Sequence, residues 1–393
     1  MQPSAIALFL VAGLASLFMA WVIGAGSSGA TPFAPAVGAN AIPTMQAAFL
    51  VGLLGFAGAV TQGATVSATV GDGLVGGVKV PAIGVIVVLL VGAGLMAIGI
   101  YTGYPIATAF TVTGSVVGVG LALGGTPAWA TYRQIGAVWL LTPVVGGGIA
   151  YGIASVLPRP DAPERYTVPA LTAVVGIVLA NVEFAFLGPN GTMGSFAGLV
   201  GRQLVAGGLA VTVGVSVTVA AMIAAVVHWD VARDQVGGLR RVLLALGSLV
   251  GFSAGGSQVG LAVGPLLPLF DSVGALSPAI ILAGGGGGIL AGSWLSAPRM
   301  IKSLAQDYSA LGPRRSISAL IPAFLIAQTA VLLGVPVSFN EIIVSGIIGS
   351  GVAVGGGSAV DPRKLLVTVG AWAGSLAVSF VFGYGVVAGI QLL

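Results

Sequence analysis

Residues 4–23, "SAIALFLVAGLASLFMAWVI", run for twenty positions without a charge. At ~1.5 Å per helical residue such a run crosses the ~30 Å hydrocarbon layer of a bilayer. Comparable runs recur along the whole chain, and only 6% of its 393 residues are charged, against about 25% in soluble domains. Mean hydropathy is +1.10. These features define an all-α polytopic membrane protein. The first run has no basic leading segment and is followed by many others, so it is read as a span and not a signal peptide. The formal charge of +4 belongs to membrane loops and gives no reason to expect nucleic acid. With no cysteine and a single histidine, His228, disulfides, thiol catalysis and a His-based metal centre are excluded.

About twelve hydrophobic segments are legible, near 3–26, 42–62, 80–101, 105–125, 134–157, 168–188, 198–228, 242–263, 275–296, 316–334, 336–353 and 365–390. Some are short enough to be half-spans, which sets the expectation at 10–12 transmembrane segments. The connections at 157–166, 228–241, 296–316 and 361–364 carry eleven of the 14 Lys and Arg residues. The positive-inside rule puts those loops in the cytoplasm and both termini outside a cell membrane.

The chain also repeats itself. "YPIATAFTVTGSVVGVGLALGG" (104–125) lies over "VPVSFNEIIVSGIIGSGVAVGG" (335–356) without a gap, matching Pro105 to Pro336 and Gly118 to Gly349 at an offset of 231. "GAGSSGATPFAPAVG" (24–38) lies over "GGSQVGLAVGP" (255–265) at an offset of 230, matching Ser27 to Ser257 and Pro35 to Pro265. Seven segments separate the two copies, and an odd number inverts the second. The expected organisation is a first inverted repeat over 1–157, connecting membrane helices over 158–241 and a second repeat over 242–393. Interrupted helices at matched places in inverted repeats mark the midplane site of a secondary transporter. Backbone groups freed by such breaks need a ligand or a polar cavity, and helix N-termini suit an anion. Ser27, Ser28, Ser257 and Gln258 are therefore expected to line a site, with Thr108, Ser338 and Asn340 at the other pair of breaks.

These segments resemble the inorganic phosphate transporter (PiT) family. Its "GANDVANSFGTSVG" and "GANDVANAIGPL" motifs align without a gap with "AGSSGATPFAPAVG" (25–38) and "GGSQVGLAVGPL" (255–266). Its "PVSTTH" segments align with "PIATAF" and "PVSFNE", and "VWLLTPVVGGGIAY" (138–151) is similar to the span that follows the first of them. The resemblance implies an inverted-repeat transporter, a homodimer, and phosphate moved with Na+ or H+, without a resident cofactor. It also brings Thr31 into the site, at the place of a motif Asn. Where the family carries Asn-Asp, this chain has Ser27-Ser28 and Ser257-Gln258. Both motif carboxylates are gone. A neutral site is expected to discriminate less against unprotonated oxyanions such as sulfate. It is also expected to weaken sodium coupling, because hard cations favour charged oxygen ligands.

Glu341 stands at a break inside an apolar segment, where an ionisable group is costly and marks function. It is the first candidate for carrying a coupling ion, and Glu183, in "LANVEFAFLG", is the second. Three alternatives to phosphate transport stay open: a sulfate or other oxyanion permease, a non-transporting relative, and a passive channel. No nucleophile–base constellation or metal cluster suggests an enzyme.

Overall fold

The computed structural model describes residues 3–189, 192–204, 208–271 and 276–392. The first part of the chain forms α1 (Pro3–Gly26), α2 (Ala34–Gly38), α3 (Thr44–Gln62), α4 (Ala64–Asp72), α5 (Ala82–Thr102), α6 (Thr108–Ala122) and α7 (Trp129–Val156). The middle holds α8 (Glu164–Asn181), α9 (Phe196–Gln203) and α10 (Leu209–Arg233). The last part forms α11 (Gln235–Val263), α12 (Leu267–Asp271), α13 (Pro278–Gln306), α14 (Pro313–Leu332), α15 (Phe339–Gly355) and α16 (Pro362–Gln391). Two short antiparallel pairs, Val75–Gly76 with Thr126–Pro127 and Glu183–Phe184 with Gly194–Ser195, tie loops together. Among the described residues ten helices are long and apolar enough to cross a membrane, and α6 is a shorter apolar helix.

The packing is crossed. α1 runs along α13 while α3 runs along α11, and α6 runs along α16 while α7 runs along α15. Contacts local to one part of the chain repeat too: α1 with α5 as α11 with α14, and α5 with α6 as α14 with α15. Glycines allow the crossings. A methyl group at Gly58 would stand on the carbonyl oxygen of Phe252, and one at Gly292 on that of Trp21. Helices in lipid gain little from hiding apolar surface from each other, so close backbone approach supplies the packing energy. α8 and α10 pair with one another beside this core.

Two expectations need correction. The apolar stretch 198–228 is not one segment: Leu204 leaves α9 and Gly208 enters α10, both in extended backbone. In the last turn of α9 the Arg202 guanidinium donates to Leu187 O at 3.0 Å. The matched breaks near Ser27 and Ser257 are also unequal. α1 stops at Gly26 and the chain turns through residues 27–33, whereas α11 continues through Ser257 and Gln258 to Val263. Proline placement differs between the copies. Pro32 and Pro35 follow Ser27 closely, but in the second copy Pro265 is the first proline after Ser257. A proline lacks the N–H and clashes with the preceding turn, and none stands within α11.

Candidate functional site

The other two breaks share one construction. α5 is ended by Gly103 at φ +77° and α14 by Gly334 at φ +64°, left-handed positions that glycine adopts without strain. Two residues later Pro105 and Pro336 hold the chain extended. It re-enters helix at Thr108 and Phe339, behind the N-cap residues Ala107 and Ser338, neither of which caps with its side chain. The first-turn amides of α6 and α15 have no acceptor within their own helices. Both helix starts are buried.

Hydrogen bonds bring all four segments together. Ser27 Oγ donates to Gln258 Oε1 at 3.0 Å, and Gln258 Nε2 donates to Val337 O at 2.6 Å. Asn340 Nδ2 donates to Gly26 O at 3.2 Å and to Ile106 O at 2.7 Å. One amide thus links the end of α1, the break before α6 and the start of α15. Ser27, Ser28, Thr31, Thr108, Ser257, Gln258, Ser338 and Asn340 are fully buried, and Glu341 is 2% exposed.

Five polar atoms of this group have no protein partner: Thr108 Oγ1, Ser257 Oγ, Ser338 Oγ, Asn340 Oδ1 and Glu341 Oε2. Buried polar groups are almost always paired, and leaving one unpaired costs about 1–3 kcal/mol. Four of the five belong to the two uncapped helix starts and the fifth, Ser257, adjoins Gln258 on α11, a concentration that structural stability alone opposes. The hydroxyls can donate or accept. Asn340 Oδ1 can only accept, and turning the amide would set oxygen against two carbonyls. Glu341 is the one acid at the start of either helix. Helix dipoles add positive potential without any Lys or Arg.

Other expected residues are engaged or elsewhere. Thr31 Oγ1 donates back to Ser27 O at 3.1 Å, so this hydroxyl braces the turn. Glu183 is not with the group. It lies half-buried after α8, lining a cavity of about 220 Å³ with Thr65, Asn181 and Gln328. Its carbonyl accepts from Gln62 Nε2 at 2.8 Å. Gln62 and Gln328 face each other through two long bonds, 3.4 and 3.3 Å, and Gln328 Nε2 reaches Ser253 Oγ at 2.6 Å. Ser253 stands one helical turn before Ser257. This buried polar chain escaped the sequence reading, in which single amides inside apolar runs carry no distinguishing signal. Trp139 and Trp372 escaped it too. Their indole N–H groups donate to Pro336 O and Pro105 O, each at 2.8 Å. They stand 233 apart, two more than the repeat offset of 231, so the repeat pairs them only with a two-residue shift after residue 125.

The chain is similar over most of its length to known proteins. A Pyrococcus abyssi protein named "putative phosphate permease" is 29% identical over 369 residues, 88% of this chain and 89% of the relative. "Inorganic phosphate transporter 2-1, chloroplastic" from Arabidopsis thaliana is 24% identical over 403 residues, 87% of this chain and 65% of that one. A solved structure titled "The sodium-dependent phosphate transporter" shares the fold at a TM-score of 0.82, with 23% identity, 98% of this chain and 100% of that chain covered. Residues 23–383 match the phosphate transporter family throughout, and the chain belongs to that family.

Proposed function

We propose that this protein is a secondary transporter of inorganic phosphate that binds its substrate where the four segments meet. Residues 1–157 and 242–393 act as inverted halves, 158–241 connects them, and the site faces each side of the membrane in turn. The five unpartnered atoms, four of them at the uncapped starts of α6 and α15 and one on α11, carry this reading. Hydroxyls and helix N–H groups suit the oxygens of an oxyanion. Asn340 Oδ1 and Glu341 suit a P–OH, which needs an acceptor. Sulfate at neutral pH has no proton to donate and would set an oxygen against the fixed Asn340 acceptor. The acceptors therefore favour phosphate, and they take over part of the role of the two missing motif carboxylates. Glu341 is proposed as the carrier of a coupling proton, and Glu183 is the second acid to test.

The experiment is uptake of labelled phosphate and sulfate into proteoliposomes, with and without sodium and pH gradients. Phosphate uptake driven by an inward proton gradient is expected, with that drive lost in Glu341→Gln. Strict sodium dependence that survives Glu341→Gln overturns the proton assignment. Preferential sulfate uptake overturns the substrate. Folded protein that moves neither anion supports the non-transporting alternative.

A further inference from the structure

The carbonyls of Pro105 and Pro336 sit in the two extended breaks, where no helix supplies a donor, and an apolar bundle offers no bulk water instead. Each is met by an indole from the other part of the chain. Trp139, on α7, reaches Pro336 O, and Trp372, on α16, reaches Pro105 O. Both tryptophans are buried, and both bonds measure 2.8 Å. An indole N–H donates only, on a rigid ring with two side-chain torsions, so it fixes a carbonyl more firmly than a flexible donor. The carbonyls precede the unpartnered Thr108 and Ser338 hydroxyls by three and two residues. Trp139 is further held by stacking on Phe110, ring centroids 3.9 Å apart, in the first turn of α6.

We propose that Trp139 and Trp372 are crossed positioning residues, each holding the break that begins the other half's site helix. The transport machinery is then set by a reciprocal pair: residues 1–157 supply the pin for the break at 336, and residues 242–393 supply the pin for the break at 105. Neither ring touches the unpartnered atoms through any hydrogen bond, so the two act through the backbone they hold.

A phenylalanine in either place keeps most of the ring packing and removes the donor. Trp139 borders an apolar cavity of about 530 Å³ between α6, α7 and α16, which leaves room for local adjustment. The chain has no cysteine, so a single introduced thiol reports one place only. Ala107→Cys and Ser338→Cys, one per protein, are labelled with a membrane-permeant maleimide. Trp372→Phe is expected to speed labelling at 107 and leave 338 unchanged, and Trp139→Phe to do the reverse. Equal effects of either variant at both positions, or no effect at either, overturn the proposal.

A kinetic readout, which rests on the phosphate-transport reading, is made on variants without introduced cysteines. KM for phosphate is expected to rise about tenfold, the scale of one buried acceptor left unpaired, with a smaller change in maximal rate. A fall in maximal rate at unchanged KM overturns positioning. Absence of transport in the parent protein overturns the function but leaves the labelling result interpretable. Histidine variants keep a ring N–H and stand in if a phenylalanine variant does not fold. They are expected to return labelling toward the parent rate, and a histidine variant that labels its paired break no more slowly than its phenylalanine counterpart, or than Trp139→Ala or Trp372→Ala made where the phenylalanine form is lost, counts against the indole bond.

Discussion

Asn340 spends both amide protons on carbonyls from two distant parts of the chain, Gly26 and Ile106, and leaves its oxygen without a partner. Structural and ligand-facing roles meet in one side chain. Asn340→Leu strands both carbonyls and is expected to cost about 2–4 kcal/mol, read from unfolding in detergent. Thr108→Val and Ser338→Ala remove hydroxyls that have no partner. They are expected to leave stability unchanged or raise it by about 1 kcal/mol, while lowering phosphate uptake. That opposition separates a ligand-facing hydroxyl from a packing one. Loss of stability in both variants argues that these hydroxyls serve the fold instead. The sequence identified all three residues from the matched breaks, but which atoms were occupied depended on partners more than two hundred residues away.

At the scale of elements, glycine decides which helices touch. Gly58 faces the Phe252 carbonyl, and Gly255 faces Gly55 across the α3–α11 crossing. Gly148 and Gly152 on α7 have nothing within reach of an added methyl. Gly58→Ala and Gly255→Ala are expected to destabilise by at least about 1–3 kcal/mol through overpacking. Gly148→Ala and Gly152→Ala are expected to be neutral, or stabilising by about 0.5–1 kcal/mol through helix propensity. Thermal unfolding of the four variants in one detergent tests the contrast, and a uniform response would remove the packing explanation. The glycine runs themselves show no such distinction. Within "GGGGG" at 284–288, Gly286 packs on Phe56 and Ala59, while Gly284 and Gly287 meet nothing. Composition cannot separate these cases, because the difference lies in the facing helix.

Across the whole molecule, residues 1–157 and 242–393 complete each other. α1 and α3 lie on α13 and α11, and α6 and α7 lie on α16 and α15. Neither part alone can make these crossed contacts. Each expressed alone is expected to aggregate or be degraded, and co-expression of 1–241 with 242–393 to give a complex that co-purifies. Recovery of either fragment as a stable monodisperse species would show that the crossed packing is dispensable.

The sequence by itself determined the all-α membrane class, most of the helix positions, the matched breaks before α6 and α15, and the family. Those features are local: hydropathy over some twenty residues, a glycine followed by a proline, a motif in register. Only the tertiary structure decided that α11 runs unbroken through Ser257, that Glu183 stands apart at its own cavity, and that the two tryptophans cross between halves. The reason is physical. A helix continues or a carbonyl finds its donor according to what lies across the bundle, and in an apolar medium each backbone group must be satisfied by whichever neighbour the fold brings to it.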